Sequence, residues 1–154
     1  MDKNIYLDHN ATSPLLPEAQ TAMSDAAEKT LGNPSSPHWA GRESKILLEE
    51  ARYSLAKSLG AEPREIIFTS GGSESNNAVL RQLSSALGKQ HLITSKIEHP
   101  SVLETSRILA KQPNIGLTEL PVDPSGLIDP ESLRKGIRSQ TSLISLITAN
   151  NETG

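Results

Sequence analysis

Short β-rich runs alternate along this chain with stretches of helical period, and that alternation restricts the fold more than any other feature. The runs at 65–69 (EIIFT), 91–95 (HLITS), 115–122 and 142–148 (SLISLIT) read as strands. The last is apolar at nearly every position, as in a strand covered on both faces. Helix-period segments separate the runs, which predicts a layered α/β architecture.

Local punctuation sets the expected element ends. Residues 3–17 are extended and turn-rich, because Pro14 and Pro17 discourage a helix before about Glu18. A helix is expected over 17–29, then a loop at 32–38 (GNPSSPH). A stronger helix runs over 41–59, where Leu47, Ala51, Leu55 and Leu59 recur at intervals of four as one surface stripe. Gly60 stands where a left-handed residue would end it. The helix after the glycine turn carries Val79, Leu80, Leu83 and Leu87. Pro100 opens another, through Leu109, and Asp129-Pro130-Glu131 has the form of an N-cap, a proline at N1 and an acid in the first turn.

Composition narrows the class. The 154 residues are 35% hydrophobic but only 3% aromatic, so the core is aliphatic. The net charge of −3, with both signs interspersed, forms neither a basic stripe for nucleic acid nor a polybasic patch for a membrane surface. No run reaches membrane-spanning length and the N-terminus has no secretory pattern, so a cytoplasmic location is expected. Cysteine is absent, which removes disulfides, thiolate metal sites and a cysteine nucleophile from this chain. The four histidines show no metal-binding spacing, and no G-x-S-x-G elbow occurs. Trp39, beside His38 in the loop, is a possible interface marker.

Three places can carry chemistry. In FTSGGSES (68–75) a strand leads through two glycines and hydroxyls into a helix, an anion site suited to one phosphate: backbone N–H groups and the helix dipole face the ligand. Ser73 and Ser75 can add hydroxyl donors. It is neither G-x-G-x-x-G nor a P-loop, which disfavours dinucleotides and ATP. The same residues also serve as an ordinary turn with Ser73 capping a helix. His99 follows a strand and precedes a helix, where it can stack on a planar cofactor, shuttle protons or simply sit on the surface. Asn150-Asn151-Glu152 follows the last strand, where a carboxamide can bind a ligand oxygen or form a turn. In an open α/β sheet all three would face the crevice beyond the strand ends.

Taken together, the motifs resemble the cysteine desulfurases of the class V aminotransferase group. The resemblance rests on residues 5–14 (IYLDHNATSP), Gly32-Asn33-Pro34-Ser35-Ser36 with His38 and Gly41, Phe68-Thr69-Ser70-Gly71-Gly72-Ser73-Glu74 with Asn77, Glu98-His99, and Asn150-Asn151-Glu152-Thr153-Gly154. They occur in order across nearly the whole chain. The resemblance implies part of a fold-type I large domain, an α/β structure with a mainly parallel sheet and flanking helices, truncated before its end. Residues 1–16 would be an extended N-terminal arm and 17–154 the front of the large domain. It implies pyridoxal 5'-phosphate as cofactor, with Gly72 and Ser73 on its phosphate, His99 stacked on its ring as a candidate catalytic proton-transfer group, and Asn151 near its phenolic oxygen. It further implies L-cysteine as substrate, a homodimer, a sulfur-acceptor protein, and a role in iron–sulfur cluster or thiolation pathways.

In such enzymes a Schiff-base lysine, a nucleophilic cysteine and an aspartate on the pyridine nitrogen lie beyond the equivalent of Gly154. No lysine here matches, and there is no cysteine. The chain alone is therefore expected to be inactive. Another class V enzyme (an aminotransferase or selenocysteine lyase) and a non-catalytic remnant serving as an interaction module remain the alternatives.

Overall fold

The computed structural model describes residues 4–152, so Met1–Lys3 of the arm and Thr153-Gly154 of the last motif lie outside the described residues. The chain forms two compact units, one up to Phe68 and one from Thr69 onward.

In the first unit, residues 4–16 are irregular and largely exposed. Helix α1 spans Pro17–Lys29, with proline in its first turn and an extended Leu16 before it, as the residue ahead of a proline requires. Helix α2 spans Trp39–Leu59. It begins two residues earlier than expected because the His38 side chain caps it, accepting from the Gly41 N–H at 3.4 Å. Trp39 is therefore the first helical residue rather than part of the loop. Gly60 ends α2 in the left-handed region (φ 65°, ψ 29°), as expected.

Loop 32–38 closes backbone to backbone on the start of α2. A Cβ at Gly32 would stand 2.4 Å from the Ala40 carbonyl carbon, and one at Gly41 would stand 2.3 Å from the Ser36 oxygen. These two glycines exist for close approach.

Two expectations fail in this unit. The apolar stripe of α2 is not buried: Leu55 is 42% and Leu59 66% exposed, while the covered residues are the small Ala40, Gly41, Ser44 and Ala56. The described part of the unit supplies nothing to cover the stripe beyond an open groove against α1. The strand expected at 65–69 is absent as well. Pro63–Glu65 forms a 3-10 turn, and residues 66–68 have no ladder partner. The Arg52 side chain takes over, donating to the Ile66 carbonyl and placing its guanidinium 4.9 Å from the Phe68 ring centre.

The second unit holds α3 (Gly72–Leu80), α4 (Gln82–Ser85), β1 (Gln90–Ser95), α5 (Pro100–Leu109), β2 (Ile115–Leu120), α6 (Pro130–Gly136) and β3 (Thr141–Ile144). Their order makes two strand–helix–strand units. The sheet runs β2-β1-β3, with both pairings parallel. On one face Leu92 packs with Leu80, Leu83, Val102, Leu109 and Ile115, flanked by Leu117 and Leu143. Truncating such a fully buried leucine to alanine costs about 2–5 kcal/mol. On the other face Gly136 of α6 lies over Ile93, Thr118 and Leu120, close enough that its missing Cβ would just touch them. The fold is thus the expected α/β layer structure with a parallel sheet between helices.

Two further readings need correction here. The helix after the glycine turn breaks at Arg81, and Val79 and Leu87 are exposed. Only Leu80 and Leu83 point at the sheet. The run at 142–148 forms a short strand with alternating half-exposure rather than one covered twice, because β3 is an edge strand here. Pro100 and Asp129 do start their helices as expected; Asp129 accepts from the N–H groups of Glu131 and Ser132.

His91 ties the sheet together from its middle strand. It is 1% exposed, with Nδ1 2.8 Å from Thr141 Oγ1 and Nε2 2.9 Å from Thr118 Oγ1, so one ring joins β3 to β2. Burial, helped by the charge of Arg138, pushes its pKa below the ordinary 6.5. A histidine harder to protonate when folded binds fewer protons than its unfolded counterpart. Stability is therefore full above about pH 6.5 and falls as pH drops below it. Thermal unfolding followed from pH 7.5 to 5 is expected to show this fall, and His91→Gln to flatten it while lowering Tm throughout.

Candidate functional site

Parallel pairing brings the carboxyl ends of β1 and β3 to one edge of the sheet, and the segments leaving them are stitched together. The Ser145 N–H donates to the Ile93 carbonyl at 2.9 Å, extending the ladder past β3. Glu98 is buried to within 8% and bridges the two segments: Oε1 accepts from Ser95 Oγ at 2.7 Å and from the Ile147 N–H at 2.8 Å. Asn150 adds a second tie, its Nδ2 donating to the Ile97 carbonyl at 2.8 Å, while its Oδ1 accepts from the Glu152 N–H.

These ties frame a cleft of about 490 Å³ lined by residues 96–100 and 150–152. His99 and Asn151, read from the sequence as site residues, both line it. Glu98 and Asn150, which hold its walls, were not read as site residues. Their signal was an acid and a carboxamide directly beside the candidates, but their partners are about fifty positions away in the sequence.

Gly72 and Ser73 are not among the lining residues of that cleft. They form the first turn of α3, whose N-cap is Gly71 and which has no side-chain cap. Ser73 therefore does not cap this helix, contrary to the turn-and-cap alternative. The opening N–H groups of α3 lack the intrahelical partners that later ones have, and a Cβ at Gly71 or Gly72 would meet nothing within 4 Å. Uncapped opening amides beside two glycines whose missing Cβ atoms would meet nothing fit a phosphoryl group by donor chemistry.

The neighbouring hydroxyls divide. Thr69 and Ser75 share a hydrogen bond at 2.7 Å and both reach the Gly71 carbonyl, so Ser75 is engaged within the turn. Ser73 enters none of these bonds. Glu74, the one acid in the first turn, faces back: its Oε2 accepts from the Ser70 N–H and Ser70 Oγ, which holds its carboxyl below the usual range.

Side-chain hydrogen bonds join α3 to His99. Asn76 Nδ2 donates to Ser101 Oγ at 2.9 Å, and Ser101 Oγ lies 2.8 Å from His99 Nδ1. One turn further, Thr105 Oγ1 donates to Asn77 Oδ1 at 3.1 Å. The glycine turn thus begins the helix that is bonded to the histidine's own helix. No helix among the described residues is long and apolar enough to cross a membrane.

Against known proteins, the family model described as aminotransferase class-V matches residues 5–154. A cysteine desulfurase IscS from Dictyoglomus turgidum (strain DSM 6724 / Z-1310) is 47% identical over 156 residues, covering 100% of this chain and 39% of that protein. A selenocysteine lyase from Homo sapiens is 39% identical over 99% of this chain and 39% of its own length. Among solved structures, a NifS-like protein aligns with a TM-score of 0.89 at 35% identity, over 97% of this chain and 41% of that one. The structure of SspA in complex with cysteine gives 0.87 at 37% identity, over 96% of this chain and 43% of that one. The chain therefore spans about two fifths of the length of the relatives it matches.

Removing the Glu98 carboxylate strands two donors at the cleft wall, which is worth about 1.5–3 kcal/mol for bonds to an acidic group. Glu98→Ala is expected to lower stability by that order and to speed hydrogen exchange at the Ile147 amide most of all. Unchanged protection at Ile147 would remove Glu98 from this role.

Proposed function

This chain belongs to the aminotransferase class-V family, and we propose on that premise that it is the cofactor-phosphate part of a pyridoxal-phosphate-dependent cysteine desulfurase. The observation that carries the reading is the shared strand-end cleft of His99 and Asn151, bonded through Ser101 and Asn76 to α3, the helix whose start is uncapped. In this reading residues 1–16 are an arm and 17–154 the leading part of the cofactor-binding domain. The parent enzyme would be a cytoplasmic homodimer that takes sulfur from L-cysteine, releases L-alanine and passes the sulfur to an acceptor protein for iron–sulfur cluster or thiolation pathways.

When bound, the pyridoxal group supplies an electron sink that the side chains themselves lack. The chain's own residues bind and orient it. The amides of Gly72 and Ser73 with the Ser73 hydroxyl would hold the phosphate, where helix-dipole and hydrogen-bond effects reinforce each other. His99 would face the ring and could serve in proton transfer there. Asn151, which lines the same cleft, would offer its carboxamide to the phenolic oxygen. Glu98 and Asn150 keep His99 and Asn151 on their two segments, so that neither must be ordered when the ligand arrives.

The family model and the desulfurase relatives support the sulfur chemistry, and the human selenocysteine lyase supports a second reading in which selenocysteine is the substrate. Either chemistry needs groups outside this chain: it has no thiol to receive sulfur and no lysine at a matching position to carry the cofactor.

Two outcomes are expected. Incubated with pyridoxal 5'-phosphate and L-cysteine, the isolated chain yields no sulfide or alanine above a protein-free control; sustained turnover would refute its inactivity. In a titration followed by amide NMR shifts, pyridoxal 5'-phosphate moves Gly72, Ser73, His99 and Asn151 together, and inorganic phosphate moves only the first two. Shifts confined elsewhere would refute the site.

A further inference from the structure

We propose that Asn76 and Ser101 are positioning residues that fix the tautomer of His99, so that its neutral imidazole carries its proton on Nε2 and keeps Nδ1 as an acceptor. The significance for catalysis rests on the function proposed above; the tautomer itself is a property of this chain alone.

The argument begins with Pro100. As the first helical residue of α5 it has no N–H to be satisfied, and it holds the preceding residue extended (φ −56°, ψ 142° at His99). His99 is thereby an N-cap, and its Nδ1 accepts the Ser101 N–H at 3.1 Å. A backbone N–H can only donate, so the nitrogen facing it must present a lone pair.

The hydroxyl of the same serine points the same way. Ser101 Oγ lies 2.8 Å from Nδ1 and 2.9 Å from Asn76 Nδ2. An amide NH₂ has no lone pair to offer, so it donates to the hydroxyl oxygen, and the hydroxyl proton is left to point at Nδ1. Asn76 stands 25 residues away on α3 and is half-buried, with α3 further bonded to α5 by Thr105 to Asn77. Two donors therefore converge on one nitrogen. With Nδ1 accepting, the neutral ring carries its proton on Nε2. A neutral histidine in this state presents an N–H rather than a lone pair at Nε2, so it offers a hydrogen bond there, and its basic nitrogen is the Nδ1 that faces Ser101.

The test uses the chain labelled with ¹⁵N-histidine, without cofactor, so that its failure is independent of whether the cleft takes a pyridine ring. Long-range ¹H–¹⁵N correlation is read at a pH where His99 is neutral. The expected spectrum shows Nδ1 with the shift of an unprotonated ring nitrogen and Nε2 with that of a protonated one. Asn76→Asp is nearly isosteric but reverses the relay: its carboxylate takes the Ser101 hydroxyl proton, so Oγ offers a lone pair to Nδ1. The tautomer ratio is expected to move towards Nδ1–H by about tenfold, the effect of one hydrogen bond gained and one lost. A residue that merely packs would leave the ratio unchanged. A wild-type His99 that is mainly Nδ1–H, or an Asn76→Asp variant with an unaltered ratio, overturns the proposal. If that variant does not fold, the wild-type spectrum decides alone.

Discussion

The parallel register of β1 between β2 and β3 is the constraint on which the rest of this structure depends. Parallel strands end at the same edge, so whatever follows β1 and β3 must meet there. One shift in register would turn the Leu92 face towards α6 and the His91 face towards α3 and α5. That exchange would put an imidazole among leucines and a leucine between two threonines. The pattern is fixed by chemistry on both faces: aliphatic packing around Leu92 on one, and two threonine hydroxyls on the His91 ring on the other. The cleft inherits its precision from this register.

Several motif residues turn out to hold backbone in place. Gly32 and Gly41 are small because two backbones touch, and His38 caps α2. Glu98 holds the Ile147 amide, and Asn150 holds the Ile97 carbonyl. A residue pattern of this kind mixes contacts to a ligand with contacts that keep the ligand's neighbours in place. The geometry separates them, since a side chain with two partners in the fold has little left to offer outside.

Features governed by neighbours in sequence were legible without a structure. Pro17, Pro100 and Asp129-Pro130 fix helix starts through local sterics and capping, and Gly60 fixes an end through its left-handed conformation. The α/β layering followed from the alternation of periods. What failed depends on partners far along the chain. The residues at 65–69 have strand composition but no ladder, the stripe on α2 has helical period but no cover, and Leu87 follows the pattern of a helix that has already ended. Periodicity gives the face a residue occupies, never what lies against it. The same reason hid the roles of Glu98, Asn76 and Ser101, whose partners stand 25 to 49 positions away.

The proposed site joins a helix start, an imidazole and a carboxamide around one phosphorylated ring, and the phosphorus atom offers the most direct probe of that claim. With the chain ¹⁵N-labelled and saturated with pyridoxal 5'-phosphate, solid-state ³¹P–¹⁵N dipolar recoupling reports which amides lie beside the phosphate. The account requires strong dephasing at Gly72 and Ser73. Dephasing absent there and present instead at Lys89 or Arg138, by the amino ends of the strands, would contradict it.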